Sequence, residues 1–368
     1  MIGYEYGNTR LAARRGALLR AEQYAGLPGG GPRELLAGLA TTSYRPQAEA
    51  AAKDSGEHLE PFYRMAHDYL IAALTGIASF YTGPAGEVVA ALLGRFDVHN
   101  ALTLLRAQHC GASPGDALPL LLPVGRLGTQ TAREVAALPD LPAAARLLAA
   151  RRLPDRDTAA VLLAAQRRYE LDTDLGALEQ AVAHSARTHQ VEVLTAAGRP
   201  ADVAAAALRR EADDLNLVLI LRQREQANGR DAASAGTAGQ LYLPGGTLRA
   251  AQLTMLQRVP ARADVLAAAV SARPAWRGPL AAWVGGGSLA MLHADLETQR
   301  LRTQCRMLRR GDPLGAAMVL YYVLAHEAQA RNVRLLAQAA AGVLTQDEAH
   351  RHLVVPVLTS HEEDQQEE

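Results

Sequence analysis

Residues 96–106 read FDVHNALTLLR, placing Asp97, Asn100 and Arg106 among apolar residues in a stretch of good helix formers. Asp97 and Asn100 are three apart and share a helical face, and Arg106 follows six residues after the Asn. A carboxylate, a carboxamide and a guanidinium are the parts of a catalytic or metal site, and each is costly if buried without partners. The alternative is a structural signature, and the two readings differ in whether the pattern recurs.

It recurs twice. DDLNLVLILR repeats the spacing at Asp213, Asn216 and Arg222, and QARNVRLLAQ repeats it in weakened form at Gln329, Asn332 and Gln338. Asn100 to Asn216 is 116 residues and Asn216 to Asn332 is again 116, in a chain with only five Asn. An internal repeat of this kind governs the whole fold. Recurrence also speaks against an active site, because catalysis rarely needs the same group three times at equal spacing. The Asp and Asn are therefore read as satisfying backbone groups of a crossing helix or loop. The Arg, on a different face, is read as pairing with a carboxylate of an adjacent helix. Contact with a partner is the other reading of the motif.

Other chemistry finds less support in the sequence. There is no G-x-x-x-x-G-K-[ST], and the single lysine, Lys53, lies in no such context. The triglycines at 29–31 and 285–287 lack a flanking strand and a ribose-binding acid. His326 begins a His-Glu pair with no second His four residues on, and His350, His352 and His361 have no Cys or carboxylate to close a ligand set. His109 and Cys110 are sequence neighbours and point apart on a helix, so Cys110 is read as a small buried thiol. Asp155 and Asp157, and Asp172 and Asp174, are read as loop and capping carboxylates. No cofactor, metal or catalytic constellation is expected.

The elements around the motif share further punctuation. Gly–x–Pro-type turns precede each motif helix, at TGPAGEVVAALL (82–93), AGRPADVAAAAL (197–208) and RGDPLGAAMVL (310–320). The Pro-to-Asn distance is 16 residues from Pro84 and from Pro200, and 19 from Pro313. After the motif come LLLPVGRL (120–127) and LYLPGGTL (241–248), both of the form L-x-L-P-x-G-x-L, a turn leading to the next helix. The third unit reaches the end of the chain and is read as lacking this element. GNTRLAARRGALL (7–19) resembles RNVRLLAQAAAGVL (331–344), matching Asn8 to Asn332 and Arg10 to Arg334, which makes the two chain ends similar helices able to pack together. Residues 226–240 read as a flexible surface loop and SHEEDQQEE as an acidic, disordered tail.

Length and composition set the frame. A chain of 368 residues can bury a sizeable core, and its Ala, Leu and Arg bias with few aromatics favours helices. Net charge is zero, which removes any electrostatic case for nucleic acid or an anionic membrane. Two distant cysteines and an N-terminus without an apolar core point to a reducing cytoplasmic compartment. The uncharged run at 278–292 has fifteen residues, short of the roughly 20 that span a bilayer.

The three D-x-x-N-type helices, the L-x-L-P-x-G-x-L segments and the opening YGNTRLAARRGALL resemble the C-subunit family of V-type/A-type ATPases, whose eukaryotic counterpart is the V-ATPase d subunit. The stretch GDPLGAAMVLYYVLAHEAQARNVRLLAQ (311–338) is similar to the family's most recognisable segment. The resemblance implies an all-α, funnel-shaped molecule of three similar helical subdomains with pseudo-threefold symmetry. The corresponding division is 1–125, 126–245 and 246–360, with 361–368 as a tail. It also implies a non-catalytic central-stalk rotor adaptor, one copy per complex, between the shaft subunits D and F and the membrane proteolipid ring. Such a protein is cytoplasmic and peripheral to the cell membrane through the membrane sector, and transmits torque for ATP-coupled proton or sodium transport. A helical-repeat scaffold for some other protein is the rival reading. The third unit departs from the pattern, with Gln329 in place of the Asp and Gln338 in place of the Arg.

Overall fold

The computed structural model describes residues 3–27, 29–54, 58–227, 242–259 and 261–356. Every regular element among them is helical, as the composition predicts. The loop expected at 226–240 falls almost wholly outside the described residues, and the tail at 361–368 lies outside them altogether.

Five helices precede the first motif helix: α1 (Glu5–Arg14), α2 (Ala21–Ala25), α3 (Pro32–Leu39), α4 (Arg45–Ala51) and α5 (Glu60–Leu74). The first motif helix is α6 (Gly83–Cys110), followed by the single turn α7 (Pro114–Ala117) and by α8 (Thr129–Ala136), α9 (Leu141–Ala150), α10 (Arg156–Asp172) and α11 (Leu175–Ala197). The second is α12 (Asp202–Ala227), followed by α13 (Ala250–Arg258), α14 (Arg262–Ala272), α15 (Arg277–Val284) and α16 (Leu289–Arg309). The third is α17 (Ala316–Ala340), and α18 (Gln346–His352) closes the described chain.

The ends of these helices follow from local chemistry. Asp155 caps α10 by accepting from the amides of Asp157 and Thr158 at 3.0 and 2.9 Å, and Asp174 caps α11 through the amide of Ala177 at 2.9 Å. Helix α6 stops at Gly111, whose φ of +65° is the left-handed conformation that suits glycine. Helix α17 is enclosed on nearly all sides, with 18 of its 25 residues buried, the polar His326, Gln329 and Asn332 among them.

The chain forms two compact units, Met1–Tyr81 with Thr298–Glu368, and Thr82–Glu297. The second contains two successive hydrophobic cores. One joins Ala101–Leu105 of α6 to α8, α9, α10 and α11, and the other joins Leu217–Leu221 of α12 to α13, α14, α15 and the start of α16. Trp276, in the turn just before α15, and Trp283 within α15 fill the second of these cores. In the first unit α17 packs against α5, α3 and α18, and α1 also lies against α17. The chain ends therefore pack together, as the likeness of their sequences predicts. Helix α6 is long and apolar enough to cross a membrane, a feature the uncharged-run reading passes over. However, 67% of its most apolar window is buried within the protein, so core packing accounts for its composition.

Candidate functional site

The three repeated asparagines are buried and each grips one residue of another segment. Asn100 accepts from the amide of Leu122 and donates to its carbonyl, both at 2.7 Å. Asn216 does the same to Leu243 at 2.7 and 3.0 Å, and Asn332 to Val354 at 3.0 and 2.7 Å. A carboxamide has an acceptor and a donor side by side, so it pairs with the N–H and C=O of a single extended residue. Pro123 and Pro244 follow the gripped leucines, and a residue before proline is held extended. The two motifs found separately in the sequence are thus partners: each D-x-x-N helix clamps the L-P-x-G-x-L loop that follows it.

The carboxylates hold the second half of the same loop. Asp97 accepts from the amides of Leu127 and Arg126 at 2.7 and 2.9 Å. Asp213 accepts from the amides of Thr247 and Leu248 at 2.8 and 3.1 Å and from the Thr247 hydroxyl at 2.5 Å. The intervening glycine is dictated by this approach. A Cβ on Gly125 would collide with the Asp97 carboxylate oxygens, and one on Gly246 would collide with Asp213 Oδ1. Burial pushes the Asp97 carboxyl above its ordinary pKa, and the two amides and the nearby Arg126 oppose that shift.

In the third repeat the loop comes from both ends of the chain. Asn332 grips Val354, two residues before Pro356, so half of the element read as missing is present at the C-terminal side. The other half is N-terminal: Gln329 Oε1 accepts from the amide of Leu19 at 2.6 Å. Leu19 stands where Leu127 and Leu248 stand, immediately before a short helix. LLRAEQ (18–23) and TLRAAQ (247–252) are near copies, and the side chains of Gln23 and Gln252 accept from the amides of Arg20 and Arg249 at 3.0 and 2.9 Å. Sequence reading overlooked this match, although the two hexapeptides were visible.

Asn8 adds a related contact. It donates to the carbonyls of Pro313 and Gly315 at 2.6 and 3.0 Å and accepts from the Tyr81 hydroxyl at 2.7 Å. Pro313 lies in a turn ahead of α17 rather than inside it, which accounts for its longer distance to the Asn. Pro84 lies in the first turn of α6, and Pro200 lies in a single 3-10 turn that runs directly into α12.

The third position of the motif diverges. Arg106 makes a two-pronged pair with Glu179 of α11 at 2.5 and 2.9 Å, the carboxylate partner expected of it. Arg222 instead reaches Nδ1 of His293 at 3.5 Å, and Gln338 donates to the Tyr63 hydroxyl at 2.8 Å. A role shared by the first two repeats was missed two positions further on, where the third has Ala340. Gln108 donates to the carbonyls of Val135 and Ala136 at the end of α8, and Arg224 to those of Leu256 and Gln257 at the end of α13. Both cap the last carbonyls of the helix that follows the clamped loop.

Residues weighed for other chemistry have local explanations. Cys110 is exposed rather than buried, because it is the last residue of α6 before the surface turn at Gly111. Cys305 is the buried thiol, and burial pushes its pKa to about 12. His109 lies 2.7 Å from the Tyr169 hydroxyl and His352 lies 3.2 Å from that of Thr298, while His361 is outside the described residues. Asp155, Asp157 and His189 each bring a ligand atom within 4.8 Å of the others, yet Asp155 is already engaged as a helix cap.

One cavity of about 480 Å³ lies in the second unit, between α6, α11 and α12. At its wall Arg95 and Arg187 flank the buried Glu211 at 3.4 and 3.5 Å. Arg95 and Glu211 are separated by 116 residues, so equivalent positions of two repeats meet there.

The model of the ATP synthase (C/AC39) subunit family matches residues 7–352. No curated protein matches the chain significantly.

Proposed function

Because the chain belongs to the ATP synthase (C/AC39) subunit family, we propose that it is the central-stalk adaptor of a V/A-type rotary ATPase. In this reading one copy per complex links the shaft subunits D and F to the membrane proteolipid ring and carries torque for proton or sodium transport. It is non-catalytic, cytoplasmic, and held at the membrane through the ring. The three-repeat division of the chain belongs to the same proposal.

The observation that carries the reading is a family match running from residue 7 to residue 352. The clamps support it physically. A torque-bearing part needs stiffness and no titrating centre, and the motif carboxylates Asp97 and Asp213 are spent on backbone amides. Each clamp fastens a loop to a long helix, so the loop is held by side-chain bonds as well as by its ends.

Two baits test the proposal: a purified D–F pair and a detergent-solubilised proteolipid ring. The adaptor is expected to bind both and to bridge them in one complex. A well-folded sample that binds neither would refute the proposal in favour of a scaffold for another partner.

A further inference from the structure

The second half of α1 and the turn after it carry three arginines that the described residues leave without a counter-charge. Arg10 and Arg14, four apart and both exposed, lay their guanidiniums on one ring, that of Phe80, at 4.4 and 4.8 Å from its centroid. Arg15 lies 5.9 Å from the centroid of the Tyr321 ring. None of the three pairs with a carboxylate among the described residues, and Arg10 donates to the Tyr6 hydroxyl instead. The one carboxylate of α1, Glu5, stands at the opposite end of the helix. Asp312, in the turn that Asn8 of α1 holds, accepts from the amide of Leu314 at 2.8 Å.

Like charges four apart on a helix repel. The helix dipole accommodates cations in the last turn, which covers Arg14 and Arg15. Arg10 sits a turn earlier, and stacking on a shared ring holds its charge beside that of Arg14. An anion completes such a face, because guanidiniums form their strongest hydrogen bonds with carboxylates.

The chain itself supplies one. The Tyr321 hydroxyl donates to the carbonyl of Pro356 at 2.9 Å, and Asn332 fixes Val354 two residues earlier. The described chain therefore ends on the tyrosine that Arg15 stacks against. Burial pushes the Tyr321 phenol up to about 12, and Arg15 and Arg309 both oppose that shift, so Arg309 adds positive charge to the same neighbourhood. Beyond Pro356 the sequence runs VLTSHEEDQQEE, with Glu362, Glu363 and Asp364 in succession. Six extended residues reach roughly 20 Å, and the breadth of one tyrosine side chain separates Pro356 from Arg15.

We propose that the acidic run 362–364 docks on the arginines of α1 and closes that face to other acidic partners while it is bound. Charge complementarity and the point where the described chain ends both favour this occupant. A short tether raises its effective concentration to about the millimolar range, which a separate acidic protein has to exceed. Exposed ion pairs are individually weak and screened by salt, so the contact is reversible. This inference stands apart from the rotor reading.

The test uses the full-length chain with Cys110→Ser, which removes the exposed thiol and leaves the buried Cys305, and with Gln365→Cys carrying a nitroxide spin label. Broadening of the backbone amide signals of residues 12–16 is expected at about 0.01 M salt, where charges act over roughly 30 Å. It is expected to be lost at about 1 M, where the range falls to roughly 3 Å. Glu362→Gln, Glu363→Gln and Asp364→Asn together are expected to abolish the low-salt broadening. Arg14→Gln with Arg15→Gln, which keeps good helix formers, is expected to do the same. Broadening that is equal at the two salt concentrations, or that survives the neutral tail, would reflect the tether alone and overturn the proposal. Signals unbroadened at low salt would also overturn it and leave the arginines to an acidic partner protein.

Discussion

At the residue scale, the carboxamide of Asn is matched to one peptide unit, and that match explains why the motif keeps Asn in all three repeats. Ser could not donate and accept in the same plane, and Asp could not donate at all. Replacing Asn100 by Ala leaves the part-buried N–H of Leu122 without its partner, while the Leu122 C=O keeps the Val124 amide at 2.7 Å; replacing Asn216 removes the partner of both the N–H and the C=O of Leu243. Each change is expected to cost roughly 1–3 kcal/mol in urea unfolding; unaltered midpoints in both would show the grip to be incidental. His326 makes a second prediction. Its folded pKa is about 3 against an ordinary 6.5, so between those values the unfolded chain binds a proton that the folded chain refuses. Stability is therefore full above pH 6.5 and falls as pH drops towards 3. His326→Phe is expected to flatten that slope by up to one proton, and an unchanged pH dependence would contradict the buried neutral imidazole.

At the element scale, a motif helix and its loop form one unit. Both halves were legible in the sequence as separate signatures, D-x-x-N at 97–100 and 213–216 and L-P-x-G-x-L at 122–127 and 243–248. Their pairing was not legible, because spacing along a chain does not say which segment a side chain faces. The closure of the third repeat was hidden further, since Leu19 and Gln329 are 310 residues apart and the loop they complete has no covalent continuity. The Arg position misled in the opposite direction: Arg106 and Arg222 align by sequence, yet among the described residues Arg106 pairs with the carboxylate of Glu179 while Arg222 reaches the imidazole of His293. Exposed pairs of this type contribute little to stability, so the fold tolerates their divergence. Gln329→Leu removes the acceptor for the Leu19 amide. Hydrogen exchange is expected to accelerate at Leu19 and through α2, with α6 and α12 unaffected; uniform acceleration everywhere would mean that the contact is not a local clasp.

At the scale of the whole molecule, helical class, repeat period and family were all readable from residue types and spacing. The all-α reading rested on composition and the family on motifs spread from residue 7 onward. How the chain divides was less readable, because the compact unit that holds α17 draws on both termini. A part built from clamped repeats suits transmission of force rather than chemistry, and that is the central claim. The measurement that tests it most directly is reconstitution of the rotary complex in vesicles with and without this chain. Without it, ATP hydrolysis by the peripheral catalytic sector is expected to continue while ion pumping is lost, and adding the purified chain back is expected to restore pumping. Pumping that persists at full rate in its absence would contradict a coupling role.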